Sequence, residues 1–166
     1  MKTPIEIDFL DFFKTGNFNV LKLGQTKAYV LNNFPIPDGR FDYDMQKNGF
    51  DIWTYGDLEL HFEDQILFLI YSDCLVDLNG GKQLNFNKWI FEDINKLNLQ
   101  YVLTKLREKN IEFKRLRDSL GVVLRLHSGI ELTFEDMSDE DYPISDHFKL
   151  TSFGLIAENP IRWNRH

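Results

Sequence analysis

Leu58-Glu59-Leu60-His61-Phe62-Glu63-Asp64 and, 72 residues further on, Ile130-Glu131-Leu132-Thr133-Phe134-Glu135-Asp136 are the two stretches on which the fold turns. In each, apolar side chains alternate with polar ones, the period of a strand with one buried and one wet face. At the same offset Tyr29-Val30-Leu31 meets Tyr101-Val102-Leu103, and Phe34 meets Leu106. Two ungapped matches at one offset read as two copies of a unit in which a helix feeds a core and a hairpin follows it. The alternative is coincidence between two ordinary amphipathic strands.

Outward from the first stretch, Glu63-Asp64-Gln65 is a tight connection, and residues 66–71 are apolar throughout, as in a central or doubly covered strand. Residues 25–34 read as a short helix entered at Gly24 and stopped by Pro35. Residues 35–50, with Pro35, Pro37, Asp38, Gly39, Asn48 and Gly49, read as a loop. Nearer the start, Ile5, Phe9, Phe12 and Phe13 share a helical stripe that Gly16 ends. Beyond the Asn79-Gly80-Gly81 turn, Ile90, Ile94, Leu97, Leu99, Val102, Leu103 and Leu106 carry helical spacing over 87–109, with Asn110 as a left-handed stop. Strands are expected over 111–117, 121–127, 129–135 and 147–157, with an acidic insertion at 137–146.

The expected architecture is therefore an α+β fold: an N-terminal helix in residues 1–19, a first helix-plus-antiparallel-sheet unit in 20–80, a second in 81–158, and a tail in 159–166. A length of 166 residues suits one compact domain. Phe supplies 15 of the aromatic residues, beside six Tyr and three Trp, enough ring area for a sizeable core.

The net charge of −7 argues against nucleic acid as a partner and favours a basic one. The same charge also serves solubility alone. Cys74 is the only cysteine, so no internal disulfide forms. No export signal opens the chain and no segment is apolar enough to span a bilayer, so the expected location is the cytoplasm.

Chemistry-bearing patterns are scarce. His61, His127, His147 and His166 are scattered and lack ligand spacing, so no metal or cofactor is expected. Glu59 and Glu131 occupy equivalent places and mimic a hydrolase carboxylate pair, but each alternates with core residues and should face water. No catalytic residue is assigned and the chain is not expected to be an enzyme.

Charge placement says more. Residues 48–81 contain no Lys or Arg but hold Asp51, Asp57, Glu59, Glu63, Asp64, Asp73 and Asp77. Residues 126–148 repeat this, with Glu131, Glu135, Asp136, Asp139, Glu140, Asp141 and Asp146. Lys105, Arg107, Lys109, Lys114, Arg115 and Arg117 lie between the two acidic segments. Partner contact is expected at Asp57, Glu59, Glu63, Asp64, Asp139, Glu140 and Asp141. Trp53, Tyr55 and Tyr142 are candidate anchors, with Phe41 and Tyr43 nearby. For Trp53 and Tyr55 the other reading is packed core.

The run Leu21-Lys22-Leu23-Gly24-Gln25-Thr26-Lys27, then Val30-Leu31, a Pro-containing loop, and Ile52-Trp53-Thr54-Tyr55-Gly56-Asp57-Leu58-Glu59-Leu60-His61-Phe62 resembles small bacterial immunity proteins encoded beside polymorphic or contact-dependent toxins. More distantly, it resembles the helix–helix–sheet unit of the β-lactamase-inhibitor protein, where the unit occurs in tandem, and of small outer-membrane assembly lipoproteins. The chain departs from the lipoproteins in lacking a lipid-attachment cysteine, and from the inhibitor in lacking disulfide pairs. The resemblance implies a cytoplasmic immunity protein that neutralises a basic toxin domain by binding it. The alternative is a scaffolding or self-association module.

Overall fold

The computed structural model describes residues 3–43, 50–117, 121–137 and 147–157. The chain opens with a strand, β1 (Ile5–Asp8), followed directly by α1 (Phe9–Thr15). The strand forms because Ile5 and Ile7 have a distant partner: β1 runs parallel to β6 (Leu84–Asn87), with Ile5 opposite Leu84 and Ile7 opposite Phe86. Asp8 is extended and its carboxylate accepts hydrogen bonds from the N–H groups of Leu10 and Asp11, so the helix begins only after it. Gly16 ends α1 in the left-handed conformation at φ 77°.

Helix α2 (Lys27–Asn33) starts at the Thr26 cap and stops before Pro35. Five strands follow. They are β2 (Gly39–Tyr43), β3 (Phe50–Tyr55), β4 (Leu58–Glu63) and β5 (Ile66–Ser72), and then β6. After β6 come two short 3-10 turns, Trp89–Glu92 and Ile94–Lys96, and α3 (Leu99–Glu108). The chain closes with β7 (Phe113–Arg117), β8 (Gly121–Leu126), β9 (Ile130–Asp136) and β10 (Phe148–Ile156). Eight of these strands form one antiparallel sheet in the order β2-β3-β4-β5-β10-β9-β8-β7.

This overturns the expected N-terminal helix followed by two tandem helix-plus-sheet units. Among the described residues strand outweighs helix, 46% to 24%, and the sheet is continuous because β5 and β10 are hydrogen-bonded to each other at its centre. Two segments differ for identifiable reasons. Residues 35–50, read as a loop, contain β2, which is short, polar and at the sheet edge, where alternation is a weak signal. Residues 87–98, read as helix, cannot be one: Trp89 has φ 48° and Asp93 is extended. Within the single sheet, the stretches 72 residues apart lie on β4 and β9, each third from its own edge, and Phe62 and Phe134 are both fully buried.

One core lies between the sheet and the helices. Phe9, Phe12 and Phe13 of α1, Val30 of α2, and Leu99, Val102, Leu103 and Leu106 of α3 join the inward residues of every central strand in a single cluster. Tyr55 is part of it, and its hydroxyl donates to the Pro35 carbonyl at 2.7 Å. Burial holds that hydroxyl far above the ordinary tyrosine range. Tyr71 is raised too, chiefly by burial and next by the Asp73 carboxylate. For both, the folded state favours the protonated form. Their contribution to stability is whole below the ordinary tyrosine pKa of about 10 and is lost as pH rises above it. Urea denaturation at a series of pH values should show stability falling from about pH 10 upward, and Tyr55→Phe should flatten that decline. An equally steep decline in the variant would show that Tyr55 does not set it.

Candidate functional site

The other face of the sheet has none of the described helices against it. Opposed residues in an antiparallel pair point the same way, so the register traces this face directly. One row crosses all eight strands: Gly39, Thr54, Glu59, Tyr71, Gly154, Glu131, Arg125 and Lys114. The next row on the first half is Phe41, Ile52, His61, Leu69 and Ile156. Phe50 and Glu63 follow. A bulge where β5 passes His61 and Phe62 adds Phe68 to the same surface.

At the centre of this face β10 carries Gly154, and Leu69 and Tyr71 of β5 close over it. A Cβ there would lie 3.1 Å from Leu69 Cδ1 and 3.3 Å from Tyr71 Cδ2. Tyr71 also shares a hydrogen bond with the Ser152 side chain. Beside it, His61 Nε2 and Glu59 Oε2 lie 2.6 Å apart. The ring of His61 stands edge-on to Phe68 at 6.2 Å and to Tyr71 at 5.9 Å, and Phe68 meets Phe50 at 5.2 Å. Phe41 is the most open of the described aromatic members, at 55% exposure.

The structure sorts the expected contact residues into four groups. Glu59 and Glu63 share the open face of β4, and Asp64 sits at the tip of the β4–β5 hairpin, where it and Gln65 take positive φ. Asp57, at the other end of β4, holds a loop: its carboxylate accepts from the Asn79 N–H and side-chain amide, and its carbonyl accepts from Ser72 Oγ. Gly56 beside it has φ 57°, and a Cβ there would run into Gly81 and Asn79. Trp53 and Tyr55 are core residues at 3% and 0% exposure, so neither is a surface anchor. Asp139, Glu140, Asp141 and Tyr142 lie outside the described residues.

Phe50, Ile52, Phe68, Leu69 and Tyr71 were missed as surface residues. In β3 the signal is inverted, because the acidic Asp51 points inward to an ion pair with Lys27 while apolar Ile52 faces out.

Among the described residues no group of three His, Cys, Asp or Glu is placed to hold a metal ion. The exposed Cys74 thiol is pushed up, first by the Asp57 carboxylate and next by burial, which lowers its thiolate fraction and hence its nucleophilicity. No described helix is long and apolar enough to cross a membrane. These features define a mainly antiparallel-sheet protein with helices on one face and, on the other, a surface that joins carboxylates and aromatic side chains along β3–β5. Comparison with protein families, with curated proteins and with solved structures returned no match.

Proposed function

We propose that this chain is a cytoplasmic immunity-type protein that neutralises a basic toxin domain by binding it on the open face of the sheet, without catalysing a reaction. The observation that carries the reading is the composition of that face, where the β4 carboxylates Glu59 and Glu63 stand among half-buried aromatic and aliphatic side chains of β3 and β5. Carboxylates steer a basic partner to the face and speed its encounter. Aromatic side chains then supply most of the affinity. The sequence resemblance to immunity proteins supports the same reading.

The test is stoichiometric neutralisation of the toxin domain encoded beside this gene, followed by association kinetics across a salt series. Reversing a charge on each half of the sheet, Glu59→Lys with Glu135→Lys, should slow association about ten-fold at low salt and flatten its salt dependence. An unchanged on-rate and salt response would remove the open face from the interaction.

A further inference from the structure

We infer that docking is confined to the half of the open face built by β2–β5, and that the partner meets it with arginine side chains set among apolar ones. This rests on the binding reading above and makes it narrower.

The two halves of the face carry different charge. Glu59 and Glu131 sit in one row, on either side of the central Tyr71–Gly154 pair. Glu131 is gripped by Arg125, whose Nε and Nη2 both donate to Oε1. Lys114 stands opposite Arg125 on β7, and Lys149 stands opposite Glu135 on β10. Among the described strand residues that face this surface on the β7–β10 half, the cations Lys114, Arg125 and Lys149 thus outnumber the carboxylates Glu131 and Glu135. The strands β3, β4 and β5 contain no Lys or Arg at all. Glu59 and Glu63 face out there, and Asp64 extends the negative edge. The attraction for a cation is therefore one-sided.

Aromatic side chains follow the same division. Phe41, Phe50, Phe68 and Tyr71, with His61 among them, belong to the first half. The corresponding rows of the second half hold Leu116, Val123, Thr133 and Ser152. Binding energy concentrates where aromatic anchors and desolvated charge coincide, and here they coincide on one side only.

Arginine fits this surface better than lysine. Its planar guanidinium pairs with a carboxylate through two N–H groups and stacks on rings, whereas an ammonium is a hydrated point charge. A guanidinium at Glu59 would lie beside Tyr71, its direct neighbour across the strands. His61 orients the Glu59 carboxylate before any partner arrives, which reduces the ordering cost of binding. A second copy docking through its own β2–β5 half would bring the same negative charge.

The probe is a short peptide of alternating arginine and tryptophan, titrated into the full chain labelled with nitrogen-15. Amide shift changes should centre on residues 50–55, 58–63 and 66–72. Glu59→Gln and Phe41→Ala should each weaken the peptide about five-fold, Glu131→Gln less than about two-fold, and lysine in place of arginine in the peptide should weaken binding several-fold. Phe41 is exposed, so its variant keeps the fold, which the dispersion of the same spectra verifies. Shift changes centred on β7–β10 or spread evenly over both halves would overturn the inference, as would equal effects of Glu59→Gln and Glu131→Gln. Toxin neutralisation separates the two levels. If Glu131→Lys with Glu135→Lys abolishes it while Glu59→Lys with Glu63→Lys does not, the half-face assignment falls and the binding reading stands. If neither pair matters, both fall.

Discussion

Phe9→Ala is expected to destabilise the protein by about 3–5 kcal/mol, a large part of the roughly 5–15 kcal/mol that holds a domain of this kind together. Phe9 is fully buried, and its ring meets those of Phe86 at 5.0 Å, Phe91 at 5.1 Å and Phe153 at 5.5 Å, with Phe12 and Phe13 at 6.2 Å. Those partners come from β6, a 3-10 turn, β10 and α1 itself. One ring therefore joins the two-stranded β1–β6 pair, the first helix and the centre of the large sheet. Truncation removes the transfer free energy of the ring and leaves a cavity that rigid neighbours fill poorly. Urea denaturation of Phe9→Ala beside Phe41→Ala gives the measure, because Phe41 is exposed and its loss should cost only about 0.5 kcal/mol. A loss below about 1.5 kcal/mol for Phe9→Ala would show that the aromatic cluster collapses around the gap.

Asp51→Ala is expected to cost about 3 kcal/mol. Asp51 of β3 and Lys27 of α2 form an ion pair on the inner side of the sheet, with side chains only 10% and 14% exposed, and the Lys27 ammonium also lies 5.8 Å from the centre of the Phe62 ring. Removing the carboxylate takes this counter-charge from the ammonium in a site poor in water, so the penalty is mainly that of a charge stranded from its carboxylate. The double variant Lys27→Met with Asp51→Leu should recover most of the loss, since an apolar pair of similar volume suits the site. A double-mutant cycle by chemical denaturation decides it. If the double variant is no more stable than Asp51→Ala, the stranded-charge argument fails.

The same ion pair shows where sequence reading reaches its limit. Alternation placed β4 and β9, and a continuous apolar run placed β5, close to their observed ends, because one-sided burial forces a period of two where a strand covers a core and a central strand is apolar throughout. It also put Phe62 and Phe134 inward and Glu59 and Glu131 outward, as the structure has them. Local capping chemistry was equally readable at Gly16 and Asn110, both at positive φ. Alternation could not say that β3 is inverted. There Asp51 is inside because Lys27 reaches it from another element, and Phe50 and Ile52 are outside because the pleat leaves them no choice. Nor could it say that residues 5–8 are a strand, since their partner lies near residue 85 and such pairing leaves no local trace. The union of two expected units into one sheet was decided by hydrogen bonds between β5 and β10, whose backbone groups are the same in any sequence. The candidate site divides in the same way. Its carboxylates were legible because charge is a property of residue type. Its aromatic partners, and the neutralisation of Glu131 by Arg125, depend on which strands the tertiary fold sets side by side.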